Sequence, residues 1–119
     1  MRKKYKYIQY KILTREKKLN EMRNNILNQL KNAFKYLQTR YNIPRILVFG
    51  SIIKPEKFRF NSDIDVAIEC KDKDFFKIYS YLLDKTCGKI DLKHFKDIPQ
   101  QMKEKILKES ICFSNELKK

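Results

Sequence analysis

Two short stretches, Arg45-Ile-Leu-Val-Phe-Gly-Ser51 and Asp63-Ile-Asp-Val-Ala-Ile-Glu69, decide how this chain is read. The first is apolar from Ile46 to Phe49, too brief for a helix, and closed by Gly50. It predicts a buried strand. The second alternates strictly, so Ile64, Val66 and Ile68 are expected on one face and Asp63, Asp65, Ala67 and Glu69 on the other. Two carboxylates therefore leave one strand face side by side. Their mutual repulsion makes that arrangement costly unless water or a divalent cation relieves it. A hard ion such as Mg²⁺ takes one or two protein carboxylates together with phosphate oxygens and water. A strand ending in Gly50-Ser51 lets backbone N–H groups and a hydroxyl close on a phosphate, where a β-carbon would keep it away. Each feature alone also fits an ordinary solvated strand end. Their combination at neighbouring strand ends points to phosphate and metal.

Outward from these strands the pattern is regular. Leu19, Met22, Ile26, Leu27, Leu30, Phe34 and Leu37 recur at steps of mostly three and four, predicting an amphipathic helix that starts under a Thr14 cap with Glu16 in its first turn. Residues 5–13 read equally as a strand or as helix. Pro44 stops the helix near Tyr41-Asn42. Residues 52–62 read as loop. Lys73 to Thr86 reads as a helix served by Asp72 or Asp74 and closed by Gly88. Lys89 to Phe95 reads as a third strand, and Ile98 to about Lys108 as a last helix. The expected fold is one α/β domain over 1–119, a small mixed sheet flanked by helices with a basic amphipathic helix first and residues 1–18 as a basic extension.

The third strand places Asp91 between Ile90 and Leu92. Aspartate is depleted in strands. Beside Asp63 and Asp65 it can complete a carboxylate triad, binding a second metal or accepting a proton from an attacking hydroxyl. His94, the one histidine, is read as structural.

Charge is uneven along the 119 residues. The net +14 concentrates in residues 1–40, where twelve Lys and Arg face only Glu16 and Glu21. An anionic partner is implied: nucleotide, nucleic acid or an acidic protein face. Tyr5, Tyr7 and Tyr10 alternate with Lys3, Lys4, Lys6 and Lys11, which suits base stacking or packing on a protein. The three cysteines form no CxxC or Cys/His pattern, which argues against a disulfide framework or a zinc site. No stretch has the apolar length of a leader or a membrane span. A cytoplasmic location, away from membranes, is expected.

Taken together, Gly50-Ser51, Ser62-Asp63-Ile64-Asp65-Val66 and Ile90-Asp91-Leu92 resemble the signature of the DNA polymerase β-like nucleotidyltransferases. The length and element order are similar to its minimal branch, MNT, found as the antitoxin half of HEPN–MNT toxin–antitoxin pairs. The likeness spans roughly residues 20–113. It implies that Asp63, Asp65 and Asp91 are catalytic and hold Mg²⁺. It further implies that Gly50, Ser51, Lys54 and Ser62 bind the nucleotide, and that AMP passes from ATP to a tyrosine of a HEPN ribonuclease toxin. Pro55 stands where the family usually has a second glycine, and Ile52 where a basic residue is common. The gap from Ser51 to Asp63 is one residue longer than usual, so the phosphate loop is where this chain departs. Two other readings stay open: an inactive module of the same fold that neutralises its partner by binding, and a nucleic-acid binder led by residues 1–40.

Overall fold

The computed structural model describes residues 2–87 and 89–114, with the backbone alone for residues 2–8 and Ser114. Helix α1 runs from Arg2 to Arg40. Strand β1 (Arg45–Phe49) leads through a 3-10 turn at Gly50–Ile53 and a loop to β2 (Asp63–Glu69). A further 3-10 turn, Asp72–Asp74, enters α2 (Phe75–Lys85). Strand β3 (Lys89–His94), a turn at Phe95–Asp97, α3 (Gln100–Lys108) and β4 (Ile111–Ser114) complete the order. The four strands lie in the order β3-β2-β1-β4, with β1 antiparallel to both neighbours and β2 parallel to β3. The expected small mixed sheet flanked by helices is the one observed.

Helix α1 is longer than the spacing predicts. No glycine or proline precedes Pro44, so nothing in the covalent chain stops residues 5–13 from joining it. Thr14 is no cap: its hydroxyl donates to the Tyr10 carbonyl one turn back, at 2.8 Å, in mid-helix. The helix ends as expected, with the Tyr41 N–H closing on the Leu37 carbonyl at 2.8 Å. Only its second half is embedded. Ile26, Leu30, Ala33, Phe34 and Leu37 are buried, whereas Tyr10, Ile12 and Leu13 are exposed. The first half projects from the body, and the molecule is accordingly elongated, 61 × 30 × 27 Å.

The sheet has two packed faces. Ile46, Val48, Ile64, Val66, Ile68, Ile90 and Leu92 meet α1 and α2 on one. On the other, Leu47, Phe49 and Ala67 pack with Phe95, Ile98 and Ile106. Ala67, on the same face as Asp63 and Asp65 as its alternation predicts, is buried. Strand β4 escapes sequence reading because it is short and Ile111 and Cys112 are exposed. Pairing with β1, an edge contact from Phe34 to Phe113 at 5.0 Å, and a Gln38 amide donating to the Phe113 carbonyl hold it in place.

Neither Asp72 nor Asp74 makes a side-chain cap bond to α2. Asp72 instead accepts a hydrogen bond from Lys96 Nζ at 2.5 Å and lies 3.2 Å from His94 Nε2. The cap expected of Gly88 lies outside the described residues. His94 ends β3, its ring stacked on Phe75 at 5.6 Å, as a packing residue.

This division of α1 makes a contrast. Leu30→Ala, fully buried, is expected to lower stability by about 2–5 kcal/mol. Leu13→Ala, on the projecting half, is expected to stay within about 0.5 kcal/mol. Urea denaturation of both variants checks this, and a comparable loss at Leu13 would contradict the projecting helix.

Candidate active site

The site is built by strand register. Antiparallel pairing sets Phe49 opposite Asp65, and parallel pairing sets Asp65 beside Asp91. These three residues form one row across β1, β2 and β3 on the same sheet face, with Asp63 two residues earlier on β2. The chain leaves β1 immediately after Phe49, so the Gly50 backbone passes directly over Asp65. Gly50 has φ +83°, and a Cβ there would sit 2.3 Å from Asp65 Oδ2. Glycine is thus demanded twice, by conformation and by contact.

Asp65 is half-buried. Burial pushes its carboxyl above the ordinary value; Lys93 opposes this, while Asp91 and Asp63 push in the same direction as burial. Lys93 Nζ lies 3.6 Å from Asp91 Oδ2 and 6.0 Å from the Phe49 ring centroid. Lys93 carries no motif signal in the sequence beyond its place two residues after Asp91, which puts it on the same face.

A cleft of about 230 Å³ opens beside this row. Phe49, Gly50, Lys54 and Asp65 line one side, and Met102, Lys105, Ile106 and Glu109 of α3 and its end line the other. Lys54 Nζ donates to Glu109 Oε2 at 3.2 Å across the cleft, holding the Glu109 carboxyl below its usual range. Ser51 follows Gly50 in the turn, and its carbonyl accepts from the Lys54 N–H at 3.0 Å. Ser62 lies elsewhere in its bonding. Its Oγ accepts from the Arg59 N–H at 2.8 Å and its own N–H donates to the Arg59 carbonyl, which closes the loop just before Asp63.

The carboxylates share a face without forming a cage. Among the described residues no three or more His, Cys, Asp or Glu side chains converge to hold a metal. Asp65 and Asp91 are adjacent, and exposed Asp63 stands a step outside. Two carboxylates suffice for a hard ion that keeps water and phosphate ligands. Burial raises the Asp65 carboxyl first, and Asp91 and Asp63 add repulsion to it; a divalent cation relieves both, so the residues fit such an ion.

No described helix is long and apolar enough to cross a membrane. In sequence, no curated protein matches the chain. In structure, one solved protein assigned as a minimal nucleotidyltransferase superposes with TM-score 0.61 at 22% identity, covering 71% of this chain and 90% of the other. A chain from a toxin–antitoxin crystal structure with AMP-PNP superposes with TM-score 0.57 at 17% identity, covering 74% of this chain and 76% of that one. At those identities the likeness is one of fold. The polymerase beta nucleotidyltransferase family, however, matches residues 28–118, from the embedded half of α1 through Asp63, Asp65 and Asp91 to the end of the sheet. The chain belongs to the polymerase beta nucleotidyltransferase family.

Proposed function

We propose that this protein is an antitoxin that transfers AMP from ATP to a tyrosine hydroxyl of a HEPN-type ribonuclease toxin. The observation that carries the reading is the row Phe49–Asp65–Asp91 with Gly50 pressed on Asp65. The fold likeness to a toxin–antitoxin protein solved with AMP-PNP supports both the nucleotide and the kind of partner. We take 1–119 as one domain with residues 1–18 as its basic extension, working in the cytoplasm.

Asp65 and Asp91, with Asp63, are the residues that would hold Mg²⁺. When bound, the ion neutralises triphosphate charge and the carboxylate repulsion. Gly50 lets a phosphate approach the backbone of the turn, and the Ser51 hydroxyl and Lys54 ammonium contribute donors to its oxygens. Asp91 accepts the proton of the acceptor hydroxyl. That oxygen bonds to the α-phosphorus as the α–β phosphoanhydride bond breaks and pyrophosphate departs. The chain's task is positioning and charge placement. Ser62, committed to the Arg59 turn, aligns the start of β2 and retains one hydroxyl hydrogen for the nucleotide.

A second reading has its own support. Lys54, a cation on the site's side of the loop, is engaged with Glu109, as expected of a module that neutralises its partner by binding. The two readings separate in one assay with [α-³²P]ATP, Mg²⁺ and the cognate toxin. Wild type is expected to label the toxin, and Asp63→Asn with Asp65→Asn to lose at least about 100-fold. An unlabelled toxin that the double variant still neutralises would select the binding module.

Asp65 also gives a pH signature. Its carboxyl is raised on folding, so the neutral form favours the fold; that contribution is complete below the unfolded pKa and is lost as pH rises through the folded one. Asp65→Asn should therefore raise Tm at neutral pH without metal, the gain closing as pH falls through the raised Asp65 value into the ordinary carboxylate range. Mg²⁺ should raise the wild-type Tm and leave the variant unmoved. Calorimetry across pH, with and without Mg²⁺, tests both. A variant less stable at neutral pH would show that the carboxylate is not strained.

Gly50→Ala is expected to lose about 1–2 kcal/mol from its positive φ alone. It should abolish nucleotide binding through its contact with Asp65, measured by denaturation and by fluorescent ATP titration. Wild-type affinity in the variant would remove Gly50 from the site.

A further inference from the structure

The projecting half of α1 and the loop after Lys54 enclose a second surface, separate from the carboxylate cleft. A groove of about 730 Å³ runs between them, with Ile12, Leu19 and Phe58 as its apolar floor and Arg15, Arg23 and Arg59 along its walls. It continues into a shallower hollow where Tyr10 and Ile12 meet Phe60. Tyr10 is 69% exposed, Ile12 53% and Phe60 47%. Several large apolar side chains gathered at one place on a projecting helix mark an interaction surface. This half of α1 precedes residue 28, where the family match begins.

The charges say what lies there. Lys11, Arg15, Lys18, Arg23 and Arg59 line the two hollows against Glu16 and Glu56. A second copy of so basic an arm would be repelled. Nucleic acid fits less well than protein, because the floor of Ile12, Leu19 and buried Phe58 presents no open ring face on which a base could stack. Arg23 donates to the Ile52 carbonyl, and Arg59 to the Glu56 and Phe58 carbonyls at 3.1 and 2.9 Å. An apolar floor with basic rims matches one occupant, an amphipathic helix whose other residues are acidic.

We infer that this groove docks an acidic amphipathic helix of a partner protein. The loop relates the groove to the chemistry. Lys54 faces the carboxylate cleft and Pro55 lines the groove, while Arg23 ties α1 to the Gly50–Ile53 turn. A partner seated here lies one loop away from Asp65 and Asp91. That it is also the acceptor of AMP rests on the nucleotidyltransferase reading; the docking itself does not.

The test uses the full chain and a fluorescein-labelled helical peptide of about 18 residues, five turns, with leucines on one face and glutamates elsewhere. Anisotropy is expected to show saturable binding, at least about tenfold tighter than a scrambled peptide of the same composition. Ile12→Asp and Phe60→Asp should each weaken it at least about tenfold, with helicity by circular dichroism unchanged. Asp65→Asn should bind the peptide like wild type, so a failure of transfer chemistry leaves docking standing and a failure of docking leaves chemistry standing. Equal binding of the scrambled peptide would overturn the proposal. So would a single-stranded RNA that binds more tightly and ignores Ile12→Asp, or self-association in ultracentrifugation that Ile12→Asp abolishes.

Discussion

The close approach of the Gly50 backbone to the Asp65 carboxylate organises the rest of the structure. It requires β1 to stop at Phe49, the chain to take a positive φ, and β2 to present Asp65 at that level and no other. A register slip of one residue would turn Asp65 into the core and bring Ile64 to the site. That slip is blocked by burial: Ile64, Val66 and Ile68 are fully enclosed between the sheet and the helices. The hydrophobic core thus sets the position of the Asp65 carboxylate. The same core supplies the stability that offsets holding Asp65 half-buried among like charges.

Much of this arrangement was legible because burial and chemistry share the period of two. The alternation in β2 separates Ile64, Val66 and Ile68 from Asp63 and Asp65, and parallel pairing then carries Asp91 to Asp65. What escaped lacked a periodic signal. Residues 5–13 join α1 through the absence of any breaker, a weak cue beside the Thr14 that looks like a cap. Strand β4 exists because β1 has an open edge and Phe113 finds Phe34, neither visible in Ile-Cys-Phe-Ser. Alternation places Ala67 on the carboxylate face but does not show that Ile106 of α3 and Phe95 cover that part of it. At Ser62 the motif is legible but the bonding is not, since its partner Arg59 is set by the turn.

The second face is divided along its length, and the division locates the cleft. At one end Leu47, Phe49 and Ala67 are covered by Phe95, Ile98 and Ile106. Arg45 and Glu69 pair at its far edge, with the Arg45 guanidinium over Phe95 at 4.6 Å. At the other end the cover stops, and Asp63, Asp65 and Asp91 remain reachable. Phe49 stands at the boundary, buried yet lining the cleft beside Gly50. Lys93 stands there too, a protein cation against Asp91 that moderates the carboxylate repulsion. The site is therefore the uncovered remainder of a packed face. Its low-dielectric side is ready-made, which strengthens any charge placed beside it.

Pro55 and the extra residue between Ser51 and Asp63 take on a different meaning in this setting. Pro55 removes the flexibility of a second glycine, and the extra residue lengthens the path from Ser51 to Asp63. Read only against phosphate binding, both are losses. In three dimensions Pro55, Phe58 and Arg59 turn to the projecting half of α1, and Phe58 is buried in the main core. The Arg59 carbonyl contacts and the Ser62 closure make the loop rigid by short-range bonds. Proline suits a loop that must hold one shape, because it lowers the entropy of the alternatives. The loop thus has two faces, Gly50 and Lys54 toward the carboxylates and Pro55 through Phe60 toward the arm.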